Sequence, residues 1–83
     1  MLETKNEGGS LIMGKEIKID TDIITLGQLL KLADIIQTGG MAKWFLQEHE
    51  VYVNEELENR RGRKLRDGDV VEIPGMAKLI VKR

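Results

Sequence analysis

"MAKWFLQEHEVYVNEELENRRGRKLRDGDVVEI", residues 41–73, carries most of the information about the fold. Met41, Ala42, Phe45 and Leu46 recur at helical spacing, with Lys43, Trp44 and Gln47 on the flank of that stripe. The pattern then changes period. Val51 and Val53 alternate with Tyr52 as in a half-buried strand, and Asn54 favours a tight turn. Leu57 begins a short return segment that leads into Arg60, Arg61, Arg63, Lys64 and Arg66, five cations within seven positions. Arg66-Asp67-Gly68-Asp69 reads as a turn with Gly68 placed for positive φ, and Val70–Ile73 as another strand.

Working outward, "TLGQLLKLADIIQ" (25–37) has a capping-box spacing at Thr25 and Gln28. Leu26, Leu29, Leu30, Ala33 and Ile36 form its helical stripe, and Leu32 and Ile35 widen it, so a mostly buried helix is expected over 25–36. Thr38-Gly39-Gly40 ends that helix, and Thr38 can N-cap a second one over 39–48. Upstream, "KEIKID" (15–20) alternates as a strand with Ile17 and Ile19 inward. Downstream, Pro74-Gly75 is a turn and "KLIVK" (78–82) a closing strand. The expected architecture is α+β: two helices packed on a small, mainly antiparallel sheet that includes 51–54, 70–73 and 78–82. Leu29, Leu30, Phe45, Leu46, Val51 and Val53 are expected in the core, and Met41 with them.

Eighty-three residues suit one domain, expected over 13–83. Residues 1–12 are polar and Gly-rich without periodicity, and read as a disordered tail. The alternative is a start placed too early. Glu7-Gly8-Gly9 can be encoded by a purine-rich ribosome-binding sequence, with translation then beginning at Met13. The chain has no cysteine, which removes disulfides, thiolate metal sites and cysteine nucleophiles. No apolar run is long enough to span a membrane and the start lacks the layout of a signal peptide, so a cytoplasmic protein is expected. The formal charge of −1 conceals a dipole: residues 60–83 hold eight Lys/Arg against three acids, and the rest of the chain is acidic.

From Thr25 to Ile73 the chain resembles the alpha-L, or S-four-type, RNA-binding domain. Ala42-Lys43 followed by Phe45-Leu46 matches that family's short helix. Val51, Val53 and Asn54 match its strand and turn, and Gly68-Asp69-Val70 its last step into a strand. The Arg-Arg-Gly-Arg-Lys run is similar to that of the small stand-alone bacterial proteins of the YaaA and YbcJ type. The chain departs from the family pattern at Thr25-Leu26-Gly27, Thr38-Gly39, His49 and Glu55, so two arginines typical of RNA contact are missing. The resemblance implies binding of structured RNA, ribosomal RNA or an assembly intermediate, with no catalysis and no cofactor.

The candidate RNA-binding residues follow from their chemistry. Arg60, Arg61, Arg63 and Lys64 can clamp phosphates, and the alternative is a solvated basic loop. Thr38, Gly39 and Gly40 can seat a phosphate at a helix N-terminus or form a plain helix–helix turn. Lys43, Trp44 and Gln47 share a helical face with Gly40. Lys43 suits phosphate and Gln47 a base edge, while Trp44 suits either base stacking or the edge of the core. His49 has no catalytic partners in any recognisable motif, and Glu55, Glu56 and Glu58 read as a solvated acidic edge whose spacing fits no calcium loop. Neither a catalytic nor a metal-binding set is expected. The rival function is a protein-interaction module that docks the basic loop on an acidic partner in translation or replication.

Overall fold

The computed structural model describes residues 14–83; the expectations for residues 1–12 and for a start at Met13 lie outside the described residues. The elements are β1 (Gly14–Lys18), β2 (Ile24–Thr25), α1 (Leu26–Leu32), α2 (Met41–Glu48), β3 (Tyr52–Val53), β4 (Glu56–Leu57), β5 (Lys64–Leu65), β6 (Val70–Ile73) and β7 (Ala77–Lys82). Five strands form one sheet in the order β1-β7-β6-β3-β4, and β2 pairs with β5 in a separate antiparallel ribbon. Within the larger sheet β1 runs parallel to β7 and every other pairing is antiparallel. The α+β architecture expected from the sequence is therefore present, with one parallel pair and a small second ribbon added.

Alternation along the strands builds the core. Ile17, Val53, Val71, Ile73, Leu79 and Val81 are buried in one cluster with Leu26, Leu29, Leu30, Ala42 and Leu46 from the helices. Leu65 joins it from the β2–β5 ribbon and is fully buried. Five of the six named core residues are buried; Phe45 is only partly so, its ring stacked on His49 with centroids 4.3 Å apart. Met41 is exposed, contrary to expectation. It occupies the first position of α2, where the stripe has already turned off the core.

Helix α1 is shorter than its hydrophobic period suggested. The N–H of Asp34 donates to the Lys31 carbonyl and that of Ile35 to the Leu30 carbonyl, both at 3.0 Å, while Asp34 takes φ 60°. This is the paired-bond stop in which a left-handed residue ends a helix. Ile36 reaches the core from beyond the stop, which is why the period ran through it. Leu32 is exposed and Ile35 half-buried, so the widened stripe does not make a buried helix. At the start of α2 Thr38 does not cap with its side chain. Gly40 is the N-cap residue, and the backbone carbonyls of Thr38 and Gly39 accept from Met41 and Ala42.

Two turns hold the strands in register. Asn54 (φ 50°) and Glu55 (φ 73°) form the two-residue β3–β4 turn. The Asn54 side chain accepts from the N–H of Val70 at 3.0 Å and donates to Asp69 at 3.1 Å, and Asp69 also accepts from the N–H of Arg66 at 2.8 Å. Asn54 and the Gly68-Asp69-Val70 step are thus one hydrogen-bonded unit. Gly68 takes φ 92°, as its place in the turn requires.

Candidate nucleic-acid interface

The basic segment lies between β4 and β5, and its backbone is tied to the start of α1. Helix α1 opens with the capping box read from the sequence: Thr25 Oγ1 accepts from the N–H of Gln28, and Gln28 Oε1 accepts from that of Thr25. Its next two N–H groups are satisfied by the basic loop. Leu26 donates to the carbonyl of Arg63 at 2.8 Å, and Gly27 to that of Arg61 at 2.9 Å. N–H groups that would otherwise lack a partner thereby fix the loop carbonyls inward. β2 pairs Thr25 with Lys64 and Ile24 with the buried Leu65, anchoring the loop's far end.

Gly27 sits at a close approach. A Cβ there would lie 3.3 Å from Ala42 Cβ and 3.5 Å from both Arg61 Cβ and its carbonyl oxygen. At the departure Thr25-Leu26-Gly27, α1, α2 and the loop meet closely, and an added Cβ would press slightly on Ala42 while touching Arg61 at ordinary contact distance. Gly62, at the tip, has nothing within 4 Å of such an added atom, so the loop is open on that side.

Glu58 sits beneath the cations and corrects one expectation. It is 6% exposed, not a solvated edge residue. Its carboxylate accepts from the backbone N–H of Arg60 at 3.1 Å, from Arg60 Nε at 2.9 Å and Nη2 at 3.1 Å, and from Arg63 Nη1 at 2.9 Å. The hydrogen bonds from the Arg60 side chain lower its pKa most, to about 2 from 4.5; burial opposes this, and the Arg63 bond adds to the lowering. Arg60 is 72% exposed and Arg63 31%, so both reach solvent while held from behind. The group of one carboxylate and two guanidiniums keeps one net positive charge.

Apart from Trp44, the candidate residues fall into two concavities and one separate turn. Arg60, Gly62, Arg63 and Lys64 line a shallow hollow on the loop. Lys43, Leu46, Gln47, Asn59 and Arg61 line a cleft between α2 and the loop. Trp44 is 63% exposed and Lys43 Nζ stands 6.0 Å from its ring centroid, which excludes the core-edge alternative for this tryptophan. Thr38, Gly39 and Gly40 are exposed at the start of α2 and line neither concavity. Asn59 and Glu58 had no signal in the sequence beyond their position beside the basic run.

The S4 domain family model matches residues 17–82, nearly all of the described chain. The chain belongs to the S4 domain family. This S4 domain is also 73% identical over 63 residues to the "Probable ribosome maturation protein RlbA" of Bacillus subtilis (strain 168), covering 76% of this chain and 89% of that protein. The family assignment agrees with the resemblance carried by Ala42-Lys43, Val51-x-Val53-Asn54 and Gly68-Asp69-Val70.

Proposed function

We propose that this S4 domain is a non-catalytic, cytoplasmic RNA-binding protein that recognises structured RNA, either ribosomal RNA or a ribosome assembly intermediate. The observation that carries this reading is the construction of the basic loop. The carbonyls of Arg61 and Arg63 accept from α1, Arg61 lines a cleft with Lys43 and Gln47 of α2, and Arg60, Arg63 and Lys64 line a hollow of their own. Cations fixed to a rigid backbone meet phosphates without having to be ordered first, so less of the binding energy is lost to conformational entropy. Membership of the S4 family and the ribosome-maturation name of the Bacillus relative support a ribosomal context.

Arg61 and Lys64 are the principal phosphate contacts, with Lys43 of α2 beside Arg61. Arg60 and Arg63 contribute jointly, since Glu58 offsets one of their two charges. Trp44 offers a face for an unpaired base, a contact worth about 1–3 kcal/mol in single-strand binding proteins. Thr38, Gly39 and Gly40, exposed at the start of α2 and outside both concavities, make a secondary contact.

Binding of a labelled RNA hairpin, followed by anisotropy across a salt series and competed with polyglutamate, tests the reading. RNA should bind in a salt-dependent manner and polyglutamate should compete poorly. Equal competition by polyglutamate would favour the acidic-protein partner instead.

A further inference from the structure

The cleft between α2 and the basic loop has a different chemistry from the loop itself. A phosphate site requires only donors. Here two cations, Lys43 and Arg61, stand with two carboxamides, Gln47 and Asn59, around a wall that includes Leu46. Each carboxamide carries a donor and an acceptor side by side, which matches the edge of a nucleobase and exceeds what a phosphate can use. The cleft has a volume of about 680 Å³ and opens to solvent. That is room enough for one nucleotide. The exposed ring of Trp44 follows Lys43 directly in α2.

The walls are held in place. The Arg61 backbone is fixed through its carbonyl to the N–H of Gly27. Asn59 lies between Glu58 and Arg60, whose side chains are locked together by two hydrogen bonds at 2.9 and 3.1 Å. Glu58 draws Arg60 and Arg63 to itself, and Arg61 lines the other concavity. The loop is thereby divided into a side that carries charge and a side that carries charge with hydrogen-bonding diversity.

We infer that the Lys43–Gln47–Asn59–Arg61 cleft receives a single unpaired nucleotide, with the cations on its phosphate and the carboxamides on its base edge. The inference rests on the RNA-binding reading above and narrows its target to RNA with an extruded nucleotide next to a helix. Unpaired bases are the usual source of sequence information in RNA, since the A-form major groove is too narrow to be read.

The test uses the full chain and six RNAs built on one stem: one fully paired, four with a single-nucleotide bulge of each base identity, and one with an abasic bulge. The abasic form keeps the phosphate and ribose and removes only the base. The quenching of Trp44, the sole tryptophan, reports binding. At least one bulged RNA should bind roughly tenfold more tightly than the abasic form, the gain expected from two base hydrogen bonds. In Gln47→Ala/Asn59→Ala that ratio should fall to about one. Both positions are exposed, and a melting curve checks that the variant folds. Salt-sensitive binding of all RNAs with no base advantage, or an advantage that survives in the double variant, would overturn the cleft assignment and leave the RNA-binding reading standing. Absence of salt-sensitive binding to every RNA would overturn both.

Discussion

The basic loop and the Thr38–Gly40 turn both looked like phosphate sites in the sequence, but the fold treats them differently. The loop is braced three ways: its carbonyls accept from α1, Glu58 holds two of its guanidiniums, and Leu65 roots it in the core. The turn contributes two backbone hydrogen bonds to the start of α2 and no side-chain cap. A polyanion gains most from charges whose positions are already fixed. The difference argues that placement, more than the number of donors, decides which of the two carries affinity.

The largest effect on this contrast should come from removing the root. Leu65→Ala deletes a fully buried side chain and should cost about 2–5 kcal/mol, read from chemical denaturation. A loss below about 0.5 kcal/mol would mean that the loop is not anchored through the core.

Glu58→Gln comes next. It keeps the shape and removes the charge that holds Arg60 and Arg63, so a loss of roughly 1–3 kcal/mol at neutral pH is expected. The pH dependence has a definite sign. The folded-state pKa is depressed to about 2, so the stabilisation is fully present above the ordinary value of 4.5 and is lost as pH falls through the folded value. Melting curves of parent and variant should therefore converge between pH 4.5 and 2. A gap that stays constant over that range would show that the difference does not arise from the ionised Glu58 carboxylate.

Most of the fold was legible because period and turn chemistry agreed. The change from helical to alternating spacing at Val51, the capping box at Thr25 and Gln28, and Gly68 each specify one local structure. The errors arose where tertiary contacts overrode local pattern. Asp34 ends α1 in a left-handed conformation more often given to glycine, and Ile36 hid the stop by returning to the core. In the site, the cations were visible but their partner was not. Glu58 looks like its acidic neighbours Glu55 and Glu56, and only its burial beside Arg60 and Arg63 separates it from them. Asn59 and the close approach at Gly27 depend on the meeting of α1, α2 and the loop, which no short window of sequence contains.

The smaller effects concern the turns. Glu55 holds φ 73° in the β3–β4 turn, where glycine carries no steric cost, so Glu55→Gly should raise stability by about 0.5–1 kcal/mol. A destabilised variant would show that the Glu55 side chain is needed in the turn. Thr38→Ala should change stability by less than about 0.5 kcal/mol, because the threonine side chain does not cap α2. A loss near 1 kcal/mol would restore it as a cap.

The most direct measurement is the salt dependence of affinity for a structured RNA hairpin, in the parent and in Arg61→Ala/Lys64→Ala. Lys43, Arg61, Lys64 and the one net charge of the Glu58–Arg60–Arg63 group predict a log–log slope of roughly −3 to −4 for the parent, at about −0.7 to −0.9 per phosphate. The double variant should flatten that slope by roughly 1.5 and weaken every RNA alike. Arg66→Ala, whose side chain lines a separate hollow with Asp22, Asp67, Lys82 and Arg83, should behave like the parent. A double variant that keeps the parent's slope and affinity would contradict the account, since the loop cations would then make no contact with RNA.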